Sequence, residues 1–212
     1  MNMSMSGGKS DVKVAFITDE IAADPDGISA SAQVANNAAL VIGGALHSGN
    51  AIALAGAARK IEITSGSDDS GISFTIVGTG INGDAITESL TGVDSATATS
   101  ANFFRTVASI TAVGDPAGTV VAGTTASAAE VVNVERTRLK GYSIVSGGTA
   151  GVVEFFNGDP NNGGSAVFKA RTLGTDNTTI DNTIPQNGVL FENGLYIVWT
   201  NTTVDMMSYF HA

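Results

Sequence analysis

The dipeptide Asn193-Gly194 sits between two apolar runs, Gly188–Glu192 and Leu195–Thr200. Asn-Gly is the pair that most readily takes the two positive φ angles of a type I′ turn. Before it, Val189 and Phe191 alternate with Leu190 and Glu192; after it, Leu195, Ile197 and Trp199 alternate with Tyr196 and Val198. Alternation on both sides predicts a β-hairpin with a buried face. Trp199, the only tryptophan, then belongs to the core rather than to a stacking platform.

The same period recurs along the chain. Ile61 and Ile63 alternate with Lys60 and Glu62, and Ile72, Phe74 and Ile76 with Ser73, Thr75 and Val77. Ile86 and Leu90 share one face of Ala85–Thr91. Phe103–Val113 reads as one long apolar strand with a bulge near Ala108, where Val107 and Ile110 fall out of phase. Thr119–Gly123 closes this set, and Ala39–Leu46 is an apolar run broken by two glycines. Leu139–Ser146, Val152–Asn157, Ala166–Leu173, Thr178–Ile184 and Val204–Phe210 supply further strands. In the last of these Met206 and Phe210 share one face, Met207 and Tyr209 the other.

Short strands at about ten-residue spacing between Gly/Asp turns indicate a sandwich or barrel. The expected fold is all-β: two small antiparallel β-sandwich or barrel-like domains preceded by an extended N-terminal arm. The arm takes residues 1–37, the first domain 38–123, a linker of small residues 124–130, and the second domain 131–212. No strict internal repeat relates the halves. Within the arm, Met1–Ser10 is rich in Met, Ser and Gly and is expected to be disordered or ordered only on a partner. Asp19, Glu20, Asp24 and Asp26 surround Pro25 and Gly27 as an acidic turn. Between these, Val12, Val14, Phe16 and Ile17 form an apolar strand and are the candidate interaction residues. That strand has two readings: addition to a neighbouring subunit, or an edge strand of its own domain.

Composition narrows the function classes. Charged residues are 14%, against about 25% in ordinary soluble proteins. Uncharged polar surface suits tight turns and flat contacts between subunits, where each buried charge would need a partner. With a net charge of −10 and basic residues scattered (the tightest group is Arg136, Arg138 and Lys140), no nucleic-acid partner is expected. No run of about 18 apolar residues predicts a membrane span, and Met1–Ser10 lacks the apolar core of a signal peptide. The absence of cysteine fits assembly in a reducing cytosol.

No catalytic constellation emerges, and neither an enzyme activity nor a cofactor or metal is expected. His47 and His211 are the only histidines, both expected at the surface. No serine sits in a Gly-x-Ser-x-Gly elbow. Gly78–Gly83 spells a dinucleotide-type glycine pattern but joins two strands and opens no helix. Asp68, Asp69, Asp84 and Asp94 occupy turns, and Asn157–Gly164 departs from an EF-hand at its sixth and twelfth positions, Asn162 and Phe168. Turn chemistry accounts for these residues, with structural calcium as the alternative.

Two segments resemble structural proteins of tailed bacteriophages. Arg59–Gly66, Asp69–Ile76, Gly83–Gly92 and Phe103–Ile110 together are similar to a β module of phage virion proteins: a Ser/Gly/Asp turn, a Thr-rich strand and an aromatic strand ending in Ser-Ile-Thr. Leu139–Gly151 with Gly188–Thr200 is similar to a small C-terminal domain of phage capsid-associated proteins. The resemblance implies a virion structural protein assembled in the host cytoplasm, foremost a capsid decoration or cement protein stabilising contacts between capsomers. It implies as partners the major capsid protein or another virion protein, and copies of the chain itself, a trimer favoured. A tail, neck or fibre-base component is the alternative, although no heptad or long repeat offers a shaft. A carbohydrate-binding β-sandwich is the second alternative and predicts a cluster of exposed aromatic side chains.

Overall fold

The computed structural model describes residues 12–17, 22–48, 51–54, 57–175, 177–200 and 203–212. The expectations for Met1–Ser10 and for Asp19 and Glu20 lie outside those residues. The strands are β1 (Lys13–Ile17), β2 (Asp24–Gln33), β3 (His47–Ser48), β4 (Ala51–Ala53), β5 (Ala58–Ser65) and β6 (Ser73–Thr79). Next come β7 (Ala85–Thr91), β8 (Thr97–Phe104), β9 (Thr106–Val113), β10 (Thr119–Asn133), β11 (Thr137–Ser146) and β12 (Ala150–Asn157). After a 3₁₀ turn, Pro160–Asn162, follow β13 (Ser165–Leu173), β14 (Thr178–Thr183), β15 (Val189–Phe191), β16 (Leu195–Thr200) and β17 (Val204–His211).

Among the described residues the strands form three antiparallel sheets, and none closes into a barrel. The central sheet runs β13-β12-β16-β10-β5-β8, with β2 also on β10. Against one part of it packs β3-β4-β9-β6-β7; against another packs β1-β17-β11-β14, with β15 beside β11. Each contact encloses a core. The first gathers Ile61 and Ile63 with Phe74, Ile76, Val107, Ile110 and Val120. The second gathers Phe155, Ile197 and Trp199 with Leu139, Ile144, Phe191, Met207 and Tyr209. Trp199 is buried, as its neighbours implied.

Residues 124–130, expected as a linker, lie inside the 15-residue β10. One edge of β10 carries β5; along the other, β2 takes residues 119–124 and β16 takes 127–133. The two sandwiches therefore share a strand. Successive residues of a strand face opposite ways, and Ala128 enters the second core while Ala129 enters a third, smaller one with Phe103, Ile81 and Tyr196. This third core lies on the reverse face of the central sheet, under the β6–β7 loop. That loop is tied down there. Asn82 Nδ2 donates to the Tyr196 hydroxyl (2.8 Å) and to Asp159 (3.1 Å). Asn161 brackets Phe103, accepting from its N–H and donating to its carbonyl, both at 2.8 Å.

Further expectations change. Asn193-Gly194 does not make a hairpin: β15 pairs with β11, and β16 with β10 and β12. Gly194 has φ 91°, but Asn193 is not in the left-handed region, so the two positive angles of a type I′ turn are absent. The chain crosses from one sheet to the facing one, and Phe191 and Leu195 both enter the second core. Phe103–Val113 is likewise two strands, because the chain changes sheet at Arg105; the bulge at Ala108 is present, opposite Val77 and Gly78. Ala39–Leu46 contributes only a single bridge, Ala39 to Thr111. Asp24 and Asp26, expected in a turn, begin β2. Among the described residues no helix is long and apolar enough to cross a membrane.

Candidate binding face

Strand β1 lies at the edge of its sheet, pairing among the described strands only with β17 of its own chain. Alternation divides the candidate interaction residues. Ile17 turns inward and packs on the second core beside Ala15. Val14 and Phe16 turn outward, 45% and 66% exposed, and Val12 is exposed as well. An unpaired edge presents backbone N–H and C=O groups to any added strand.

The register carries the outer face further. Residues directly opposite in paired strands share a face. One lateral row therefore runs Phe16, Ser208, Ser143, Asp181 across β1, β17, β11 and β14. The next runs Val14, Phe210, Gly141, Thr183 across the same strands. Because Gly141 has no side chain, the second row sinks in its middle. The result is a hollow of about 520 Å³ on the outer face, lined by members of both rows. Its β1–β17 wall is apolar, with Phe210 38% exposed beside Phe16 and Val14. Its β14 wall is polar, and among the described residues Asp181 is the only charged side chain in the lining. Asn182 Nδ2 reaches the Tyr142 hydroxyl at 3.1 Å between that wall and the core.

Of the residues lining the hollow, Phe16 and Val14 are among the candidates that the sequence offered, and Phe210, Ser208, Ser143 and Asp181 are not. The shared face of Met206 and Phe210 was visible, but not that it points outward. Met206 is exposed, while Met207 and Tyr209 are fully buried. Below this face lies His211, opposite Lys13 in register and buried, contrary to the expected surface position. Its burial, reinforced by the Lys13 charge, holds its pKa below the ordinary histidine value. The Thr137 hydroxyl lies 3.3 Å from its Nδ1.

The other flagged residues serve turns. Asp68 Oδ1 accepts from the Ser70 N–H (3.0 Å) and hydroxyl (2.7 Å), which hold its carboxyl below the usual range. Asp69 is buried and accepts from the Ala117 N–H at 2.8 Å. Asp159 caps the 3₁₀ turn through the Asn161 N–H at 2.8 Å. Gly78 and Thr79 end β6 and residues 80–84 join it to β7, and His47 is exposed in β3. Among the described residues no three His, Asp or Glu side chains gather as a metal ion would need.

No protein-family model matches the chain, and no curated protein matches it. Among solved structures it is similar to a chain of the cowpea mosaic virus top component, naturally occurring empty particles, with 9% identity and a TM-score of 0.24 over 74% of this chain and 81% of that one. A chain from electron cryo-microscopy of a cowpea mosaic virus empty virus-like particle gives 10% identity and a TM-score of 0.25 over 74% and 78%. Overlap at that level carries no argument about ancestry or role.

Proposed function

We propose that the chain is a structural protein of a virion, and within that class a decoration or cement protein of a tailed-phage capsid. The observation that carries the reading is the apolar edge strand β1, with Phe16 and Val14 exposed on a chain of low charge content. Its open edge suits strand addition by a capsid protein or a neighbouring copy. The resemblance of Arg59–Gly66, Asp69–Ile76, Gly83–Gly92 and Phe103–Ile110, and of Leu139–Gly151 with Gly188–Thr200, to phage virion modules supports the same role. Two sandwiches that share β10 form a stiff body able to bridge neighbouring capsomers. Each contact is modest, and many copies on one shell sum by multivalency.

Immunogold electron microscopy of particles of the phage that encodes the chain tests this reading. Label distributed over the heads is the expected result. Label confined to neck or tail replaces decoration with the tail alternative, and unlabelled particles overturn the virion role.

A further inference from the structure

We infer that the hollow on the outer face of the β1-β17-β11-β14 sheet is a carbohydrate site, suited to a neutral sugar. Sugars present apolar C–H patches beside hydroxyl edges, and the hollow offers both kinds of surface in facing walls. Phe16, Phe210 and Val14 supply the apolar wall; Asp181 and Thr183 supply hydrogen-bonding groups opposite, and Ser143 and Ser208 lie between. Phe16 and Phe210 are diagonal neighbours across β1 and β17, so both rings stand on the outer face along which a sugar can lie. Neighbouring strands stand about 4.8 Å apart, so the row from Phe16 to Asp181 spans about 14 Å. The volume of about 520 Å³ falls inside the range of small-ligand sites, about 300–1,000 Å³.

The polar wall decides between occupants. Seating an apolar protein surface here would strip water from Asp181, and among the described residues no cationic side chain lines the hollow to compensate. A phosphate or an acidic sugar would meet the Asp181 carboxylate within a chain of net charge −10. A neutral polyhydroxylated ligand satisfies both walls, donating hydroxyls to Asp181 and covering two exposed rings. Binding uses the face of the sheet and leaves the β1 edge open, and it does not rest on the virion role.

The test uses the full chain on an array of neutral hexose and N-acetylhexosamine oligosaccharides, followed by saturation-transfer NMR and calorimetry with the array hits. Phe16→Ala and Asp181→Ala are each expected to weaken binding tenfold or more, while Phe16→Tyr and the distant Val41→Ala retain it. Unchanged melting temperatures of the two weakened variants establish that the loss is local. Asp181→Ala leaves the β1 edge intact, so a particle-labelling failure and a sugar-binding failure are separable. Three outcomes overturn the inference: no array sugar binding at millimolar concentration, affinity that survives both substitutions, or an octyl detergent occupying the hollow where sugars do not.

Discussion

Phe74→Ala distinguishes a chain of two independent domains from a single cooperative unit. Phe74 is fully buried in the first core, on β6, whereas Trp199 lies in the second core on β16. Deleting a buried phenyl costs about 3–5 kcal/mol, more where the walls cannot collapse. Here they are stiff. The ring packs so closely on Gly92 that a Cβ there would lie 3.1 Å from its edge, and the Gly92 N–H is held by the Ile72 carbonyl at 2.8 Å. The expected loss is therefore about 4–5 kcal/mol. For a chain of this size that lowers the melting temperature by roughly 8–20 °C. The assay is urea unfolding followed twice, by far-UV circular dichroism for all strands and by fluorescence of the single tryptophan for the second core alone. Because β10 runs through both sandwiches, the two midpoints are expected to fall together. If the fluorescence midpoint stays at the wild-type value while the dichroism transition splits in two, the sandwiches unfold independently and the shared-strand argument is wrong.

Glu88→Ala removes a clamp between sheets, since its carboxylate accepts from the Ala101 N–H (2.6 Å) and from the Asn102 N–H and side-chain amide (both 3.0 Å). A loss of about 1–3 kcal/mol in urea titration is expected. Gly123→Ala places a Cβ 2.1 Å from the Asp24 carbonyl oxygen, which must push β2 off β10; accelerated amide exchange confined at first to residues 24–33 checks this. Burial, with the Lys13 charge, lowers the pKa of His211, so below about pH 6.5 the unfolded chain binds more protons than the folded one and stability falls with falling pH. Glu62, whose burial raises its carboxyl, acts with the opposite sign, but only near the carboxylate range. His211→Gln is expected to flatten the stability slope just below pH 6.5 in melting experiments, provided its own fold is intact at pH 8.

What the sequence made legible was local. Alternation at Ile61/Ile63, Phe74/Ile76 and Met207/Tyr209 reports a half-buried strand wherever it occurs, and the structure buries those residues. Partner choice is not local, and it is there that reading failed. Thr124–Ala129 looked like a linker because its residues are small and its apolar/polar contrast is flat. At several of these positions small size serves packing instead: Ala128 and Ala129 enter different cores and Gly123 lies against the backbone of β2, while residues 125–127 between them are half-buried. Close approach and flexibility select the same amino acids, and only the fold separates them. The hollow obeys the same logic. Phe16 stood out as an apolar residue on a polar arm, but Asp181, Ser143 and Ser208 join it solely through the register of four strands. Gly141 then matters for what it lacks: an added Cβ would stand 3.6 Å from the Phe210 ring and 2.8 Å from the Asn182 carbonyl oxygen. A substitution there would both fill the hollow and press on β14, so the residue that shapes the hollow also holds the strand that supplies its carboxylate.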